Sequence, residues 1–241
     1  MKILLTAFDP FGGETVNPAQ EALKQIQAPA PDMELIKLVV PTVFGASTQA
    51  VHEAMVLHQP DVVLCIGQAG GRTAITVEQI AINLMDAAIP DNQGNQPHDE
   101  PVFADGADGY FSTLPVKDMV AAIRNAGIPA AISYSAGTFV CNQLMYGVLY
   151  HIHHEFPNTR GGFVHVPYIP VQTSTMNRPT PSMALEDLVR GLEAALRVYN
   201  GKPLINSVNG KKEVMEKIFP LAAKYGGAVI ALTLDESGIP E

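Results

Sequence analysis

The sequence predicts an α/β fold, in which a mostly parallel, twisted sheet carries helices on both faces as a three-layer sandwich. Short apolar runs alternate with longer runs of helical spacing along residues 1–199, which is the order that builds a parallel sheet. The run DVVLCIG (61–67) is apolar almost throughout, as expected of a strand that helices cover on both faces.

The individual elements follow in chain order. The apolar run KILLTAF (2–8) predicts a buried first strand. In the helix predicted at 17–27, Asn17 is the N-cap and Pro18 occupies the first helical position. The remaining predictions are strands at 33–42, 61–67, 73–85, 128–134 and 161–169, helices at 44–59, 115–127, 140–155 and 183–199, and a long loop at 86–112 rich in Asp, Pro, Gly and Asn.

A domain boundary is predicted at NGKP (200–203), after the helix that closes the first domain. The domains are then 1–199 and an appended strand–helix–strand segment at 200–241, which we do not expect to function independently. The second strand of this segment, GAVIALTL (227–234), is apolar, and an exposed strand edge promotes aggregation. We therefore expect it to pair with a sheet edge or with a neighbouring subunit.

Charge and composition exclude several classes of partner. The net charge of −9 argues against a nucleic-acid or anionic-membrane surface, both of which need clustered Lys and Arg. No apolar stretch reaches the ~20 residues of a membrane span, and the N-terminal apolar run is too short for a signal peptide. Two cysteines make no disulfide framework, so we expect a reduced, cytoplasmic setting.

Cys141 is the first candidate for chemistry. It follows the loop SAGTF (135–139) and lies at the predicted start of a helix, where unpaired N–H groups and the helix dipole favour an anion. We therefore expect a stabilised thiolate. The alternative is a buried small apolar residue, the usual environment of a free cysteine, and Cys65 inside VVLCIG is assigned to that class.

Two further polar residues interrupt apolar strands. His165 lies within GGFVHVPYIP, in the C-terminal half of a strand, where open α/β sheets place their ligands. Glu78 interrupts the alternating segment TAITVEQIAINL, and a buried carboxylate needs a partner. Cys141, His165 and Glu78 together match the roles of nucleophile, base and orienting carboxylate. A satisfied core histidine remains the alternative for His165.

Three other motifs are set aside. The segment HIHHE contains one pair on a shared helix face, His151 and His154, without the ligand spacing of known zinc motifs, so no metal site is predicted. The loop GQAGGR (67–72) lacks the G-x-G-x-x-G pattern and a following helix, which argues against phosphate binding. The segment GTFVC is not the G-x-S-x-G of an α/β-hydrolase.

Four segments in order resemble pyroglutamyl peptidase type I over residues 1–199: FDPFGGETVNP, GQAGGRTAITVEQIAINLMDAAIPDNQG, SYSAGTFVCNQLMY and GGFVHVPYIP. The resemblance implies a cytosolic cysteine peptidase, usually a homotetramer, that removes N-terminal pyroglutamate from peptides without a metal or cofactor. It assigns the catalytic roles to Cys141, His165 and Glu78, the same three residues that the apolar patterns indicate.

The resemblance also implies a pocket for the pyroglutamate ring. The residues assigned to it are Phe8, Phe11, Asn17, Gln68, Ile89, Phe139 and Val140. One departure from the family is visible at Ala88, where many members carry an arginine.

The segment 202–240 is instead similar to one strand–helix–strand unit of the pterin-binding barrel in cobalamin-dependent methionine synthases, in which Asn206 would match a pterin-binding position. One such unit cannot close an eight-stranded barrel, so a fused fragment is expected rather than methyltransferase activity. Two alternatives to an active peptidase stay open on the sequence: a catalytically silent chimera, and another small-molecule thiol hydrolase on the same fold.

Overall fold

The computed structural model describes residues 1–198, 204–208, 211–225 and 228–231. The chain divides into two compact units, Met1–Val198 and Tyr199–Glu241. Among the described residues, no helix has both the length and the apolar character that a membrane crossing requires.

Strands and helices alternate through most of the first unit. Its elements are β1 (Lys2–Phe8), α1 (Pro18–Gln25), β2 (Glu34–Val40), α2 (Ala46–His58), β3 (Val62–Gln68), β4 (Ile75–Glu78), β5 (Ile80–Ile82), β6 (Gly109–Phe111), α3 (Val116–Asn125), β7 (Ala130–Ser133), α4 (Val140–His154), β8 (Arg160–Val166), α5 (Pro170–Thr173) and α6 (Leu185–Arg197).

Six strands form the central sheet in the order β2-β1-β3-β8-β4-β7. The pairs β1–β2, β1–β3, β3–β8 and β4–β7 are parallel, whereas β4 and β8 are antiparallel. The two strands β4 and β7 therefore run opposite to the other four. The predicted α/β class with a mostly parallel sheet is confirmed.

Helices cover the sheet because each buries one apolar face. Helix α4 packs on β3 and β8 and contacts α2. Helix α6 contacts both α1 and α3. The core around α4 includes Leu144, Tyr146 and Val148 from the helix and Cys65 and Phe163 from the strands. Helix α1 begins as predicted: Asn17 is its N-cap, and its side chain accepts a hydrogen bond from Ala19 N–H.

The continuous strand predicted at 73–85 is wrong, because the segment divides at Gln79. Its N–H donates to Ser133 O at 2.7 Å beside β4, while its carbonyl accepts from Ser112 N–H at 2.9 Å. Strand β5 then leaves the central sheet and pairs with β6, which lies in the region predicted to be a loop. Asn142 in α4 holds β5 in place, accepting from Ile82 N–H at 3.0 Å.

The second unit contains β9 (Leu204–Val208), α7 (Lys212–Tyr225) and β10 (Ala228–Ala231), the predicted order of strand, helix and strand. Strands β9 and β10 pair in parallel, so the backbone partner of the apolar strand is the first strand of the same segment. Residues 227 and 232–234 of the predicted strand lie outside the described residues.

Candidate active site

Cys141 lies in the first turn of α4. Phe139 is the N-cap of this helix and contributes no side-chain cap, so the first N–H groups remain directed at the space before the helix. The backbone N–H of Cys141 lowers the pKa of its own thiol slightly. The side chain is partly buried, whereas Cys65 is fully buried within β3.

The expected thiolate at Cys141 is wrong for the free protein. Burial, followed by the nearby carboxylate of Glu78, raises the pKa of Cys141 from 9.0 to about 12, although the charge of Arg72 and the backbone N–H lower it. This change corresponds to roughly 4 kcal/mol, more than the roughly 0.3–1 kcal/mol that a helix terminus typically supplies. The resting group is therefore a thiol, and its proton must be removed as it reacts.

His165 and Glu78 form a buried hydrogen-bonded pair. His165 is on β8 and Glu78 at the end of β4, and these antiparallel strands place Thr76 opposite His165. His165 Nδ1 lies 2.7 Å from Glu78 Oε1, with Glu78 fully buried and His165 3% exposed. The carboxylate fixes the imidazole orientation, and it leaves Nε2 as the nitrogen free to exchange a proton.

At neutral pH the carboxyl group of Glu78 is ionised and the imidazole of His165 is uncharged. Burial would raise the pKa of Glu78, but contacts with His165, Ser133 and Arg72 outweigh it and hold this pKa below 4.5. Burial also lowers the pKa of His165 below 6.5, and the Arg72 charge adds to that, although Glu78 acts in the opposite direction. A neutral imidazole beside an ionised carboxylate is the arrangement that a general base requires.

Arg72 is a member of this site that the sequence patterns did not indicate. Its Nη1 donates to Glu78 Oε1 at 2.8 Å and also to Thr76 Oγ1, while Nη2 donates to Ser135 O at 3.4 Å. The guanidinium therefore compensates the charge of a fully buried carboxylate. Arg72 lies in the glycine-rich loop after β3, and no local pattern there indicates a carboxylate partner.

Gly67 is a second residue that the patterns missed, and it determines how closely Cys141 approaches the sheet. It lies beside His165 in the β3–β8 register. A Cβ at this position would lie 2.7 Å from the Phe163 ring and 3.0 Å from Cys141 Sγ. Only glycine leaves room for the thiol at this point.

Replacement of Gly67 by alanine should therefore displace both side chains. We expect a loss of about 1–3 kcal/mol in the free energy of unfolding, as for overpacked cores, together with a lower kcat. Chemical denaturation and steady-state kinetics measure the two effects. Gly127→Ala, at the end of α3, provides a comparison for a glycine with open space and positive φ. A kcat loss in Gly127→Ala equal to that in Gly67→Ala would contradict the assignment.

The predicted pocket residues divide into two groups. Phe11 and Phe139 stack obliquely with ring centroids 6.1 Å apart, and Phe44 meets Phe139 edge to face at 5.3 Å. Ile89 is 47% exposed. Phe8 and Val140 are instead almost completely buried, with Phe8 against Phe163 at 6.4 Å, so their side chains belong to the core behind the site.

Amide side chains connect the remaining predicted residues. Asn17 donates to Asp9 O at 3.0 Å while it caps α1. Gln68 Oε1 accepts from Gln172 Nε2 at 3.0 Å, and the same Nε2 also donates to Val16 O at 3.3 Å. Gln172, in α5, therefore connects the end of β3 to the chain just before α1, a link that the sequence patterns did not reveal.

Asp91 organises the loop at 86–98. Its Oδ1 accepts from Gln93 N–H and Asn95 N–H, and its Oδ2 accepts from Asn95 Nδ2 and Phe44 N–H, all at 2.8–2.9 Å. Burial raises the pKa of Asp91, but these four donors outweigh it, and the resulting pKa lies below 3.8. Because Phe44 contacts Phe139, Asp91 also positions the aromatic side of the predicted pocket.

Replacement of Asp91 by asparagine should destabilise the protein and raise KM. The side-chain NH₂ group of the new asparagine must point at N–H groups that donate to Asp91. Those buried donors lose their acceptor, which costs about 1–3 kcal/mol. Stability at pH 7 and KM on a pyroglutamyl substrate measure the two effects. The folded-state pKa is depressed, so this contribution is present above pH 3.8 and lost as pH falls through the folded pKa. Unchanged stability and KM would contradict the role.

A pocket of about 510 Å³ opens near the ends of β3 and β8. It lies between the loop that follows β3 and the chain that follows β8. Its lining residues are Gly70, Gly71, Tyr168, Thr175, Met176, Asn177, Arg178 and Thr180.

The fold and this arrangement define a cysteine-dependent hydrolase, with a thiol at a helix start and a carboxylate-oriented histidine on the adjacent sheet. The family model described as pyroglutamyl peptidase matches residues 1–201, and the chain belongs to that family.

Individual relatives agree. The chain is 52% identical over 198 residues to the pyrrolidone-carboxylate peptidase of Clostridium botulinum, covering 82% of this chain and 92% of that protein. It is 54% identical over 203 residues to that of Thermoanaerobacter sp., covering 84% and 99%.

Solved structures give the same result. The chain is similar to pyroglutamyl peptidase I of Bacillus amyloliquefaciens with a TM-score of 0.78 and 50% identity, covering 81% of this chain and 94% of that one. A mutant pyrrolidone carboxyl peptidase from Pyrococcus furiosus has a TM-score of 0.79 at 38% identity, covering 82% and 97%.

Proposed function

We propose that this protein is a cysteine-type omega peptidase that removes N-terminal pyroglutamate from peptides. The observation that carries the mechanism is the buried His165–Glu78 pair near the cysteine at the start of α4. Gly67 is opposite His165 in the sheet, and a Cβ on it would lie 3.0 Å from Cys141 Sγ. Family membership over residues 1–201 supports the substrate class. A silent scaffold or a different thiol hydrolase has no comparable support.

Acylation begins with proton transfer. His165 Nε2 takes the proton from the Cys141 thiol, and the sulfur forms a bond to the carbonyl carbon that joins pyroglutamate to the next residue. The imidazolium then protonates the departing amine as the amide C–N bond breaks, which leaves a thioester. Water, deprotonated by His165, hydrolyses the thioester and releases pyroglutamate and the thiol.

The start of α4 stabilises the charge that develops on the carbonyl oxygen. The helix has no side-chain cap to compete for its first N–H donors, and the N–H of Cys141 is one of these donors. One such donor contributes about 3 kcal/mol to the transition state in other acyl-transfer enzymes.

The lactam ring suits the aromatic and amide groups of the predicted pocket. A flat, uncharged ring fits beside Phe11 and Phe139, and its N–H and C=O can pair with the amide groups near Asn17 and Gln68. A free N-terminal Glu or Gln would bring an ammonium into this apolar space and be rejected. The pocket at Gly70, Tyr168 and Arg178 accommodates the leaving peptide.

The direct test is hydrolysis of a chromogenic pyroglutamyl anilide by the purified full chain. We expect release of the aniline, inhibition by free pyroglutamate, and no release from the glutamyl and glutaminyl anilides. Complete inactivity of folded protein would support the silent scaffold. Turnover that free pyroglutamate does not inhibit would support another thiol hydrolase.

The pH profile of kcat/KM follows from the pKa of His165. Because burial lowers that pKa below 6.5, the neutral base persists as the pH falls to 6.5, and activity should be lost only at lower pH. The thiol, whose pKa is about 12, reacts through the base, so no rise in rate is expected near pH 9. An ascending limb near pH 9 would contradict this mechanism.

The family resemblance also supports a cytoplasmic homotetramer. The appended segment at 200–241 is expected, from its own separate resemblance, to be a fragment of a pterin-binding barrel. The family match ends at residue 201, so this origin of the appended segment stays a prediction. Light scattering on the full chain measures the oligomeric state, and a monomeric mass would contradict the tetramer.

A further inference from the structure

A second cluster of chemically active side chains lies where α2 contacts the end of α4. His52 Nε2 is 2.9 Å from Glu155 Oε2, and His151 Nδ1 is 2.5 Å from Glu155 Oε1. Both imidazoles therefore direct a ring nitrogen at one carboxylate. One ligand atom from each of the three residues lies within 4.8 Å of the others.

The cluster is held in place by aromatic contacts. The rings of His52 and His151 stack with centroids 4.0 Å apart. Phe156 meets His52 edge to face at 6.0 Å, and Phe103 meets His151 in the same way at 5.7 Å. The two imidazoles are thus positioned by their surroundings as well as by Glu155.

The cluster is separate from the catalytic residues. Cys141 is in the first turn of α4, whereas His151 is in its last turn, about 15 Å further along the helix axis. The mechanism uses none of the three clustered residues. The sequence pattern puts His151 and His154 on one helix face, but His154 Nδ1 instead lies 2.8 Å from Tyr150 O.

We propose that His52, His151 and Glu155 form a binding site for a divalent transition-metal ion, with zinc as the best fit. Two imidazoles and one carboxylate are a ligand set that zinc uses in proteins with a water in the fourth position. Imidazole nitrogen selects zinc and similar transition metals over magnesium and calcium, which prefer oxygen.

The present donor separations suit such an ion after a small rearrangement. Ligand atoms bound tetrahedrally at about 2.0–2.2 Å lie roughly 3.3 Å apart, within the spread of this cluster. The ion would replace the two direct His–Glu hydrogen bonds by metal–ligand bonds. The side chains of His52, His151 and Glu155 are 22%, 14% and 43% exposed, so an ion can enter and a water can complete its coordination.

The consequence is a link between α2 and α4 that does not depend on catalysis. Binding to the folded state alone raises stability in proportion to the logarithm of metal concentration. The ion would therefore stabilise the packing of these two helices at the end of α4 that is remote from Cys141.

The test uses the full chain with Cys141→Ala, which removes the partly buried thiol as a competing ligand. Titration with Co²⁺, followed by its visible absorption, should give one tetrahedral ion per chain, and Zn²⁺ should displace it. Adding His52→Gln or Glu155→Gln should weaken binding by at least about tenfold. Zn²⁺ should also raise Tm, and these variants should lose most of that increase.

His154→Gln is the matched control, since it changes a neighbouring histidine that lies outside the cluster. It should leave Co²⁺ affinity unchanged. Circular dichroism establishes that each variant is folded, and Glu155→Gln retains both rings and the shape of the site if His52→Gln is unstable. Absence of Co²⁺ binding up to millimolar concentrations, or equal affinity in Glu155→Gln, would overturn the proposal.

Discussion

Replacement of Cys141 by alanine should reduce kcat on a pyroglutamyl anilide by at least about four orders of magnitude. The substitution removes the atom that forms the covalent bond, and loss of a nucleophile costs this much or more in comparable hydrolases. The remaining groups still bind substrate, so KM should change little. Thermal unfolding should also change little, because Cys141 is only partly buried.

Cys65→Ala is the matched control for this experiment. Cys65 is fully buried in β3, so its replacement should lower stability while kcat stays within a few-fold of the unmodified protein. Cys141→Ser tests the same assignment with almost no change of shape. Turnover by Cys141→Ser at the unmodified rate would show that another group attacks the substrate.

Replacement of Glu78 by glutamine should lower kcat by roughly 10³–10⁴-fold with little change in KM. The amide can donate to Nδ1 of His165, which puts the ring proton on Nε2 and leaves no base facing Cys141. Arg72 also loses the carboxylate that it pairs with at 2.8 Å. Steady-state kinetics on the folded variant measure the effect.

The same variant should also shift the pH profile. The Glu78 carboxylate raises the pKa of His165 against the effect of burial, so its removal moves the acid limb of the remaining activity to lower pH. Glu53→Gln, at an exposed position that accepts a hydrogen bond from Gln49, is the control. A loss of less than tenfold in Glu78→Gln would contradict the orienting role.

Much of the site was predictable because its polar residues interrupt apolar segments. Glu78 and His165 stand out within strands that are otherwise buried, and a buried polar group in such a strand needs a partner. The structure brings these two into contact. Cys141 stands out by its position at a helix start, which local sequence signals determine.

Other parts of the site depend on packing between distant segments. Gly67 matters because Phe163 and Cys141 approach it from another strand and from a helix, and no local pattern encodes that. Asp91 matters because Phe44, far away in the chain, needs an acceptor for its N–H. The ionisation of Cys141 was predicted wrongly for the same reason, since burial by remote residues outweighs the local effect of the helix.

The division of β4 from β5 has a similar origin. Alternating residues at 73–85 fit one continuous strand, but the hydrogen bonds of Gln79 to two different segments separate it into two sheets. Asn142, adjacent to Cys141, then holds Ile82 in β5. The alternation of apolar and polar residues predicts strand for both halves of this segment, so it does not indicate the break between them. The tertiary hydrogen bonds determine that break.

The most direct measurement of the central claim is the mass of the acyl-enzyme. The purified full chain is mixed with an activated pyroglutamyl ester, quenched in acid within the first turnover, digested and examined by mass spectrometry. We expect one pyroglutamyl group on the peptide that contains Cys141, and none in Cys141→Ala. A pyroglutamyl group bound elsewhere in the active protein, or rapid turnover with no covalent intermediate on Cys141, would contradict the account.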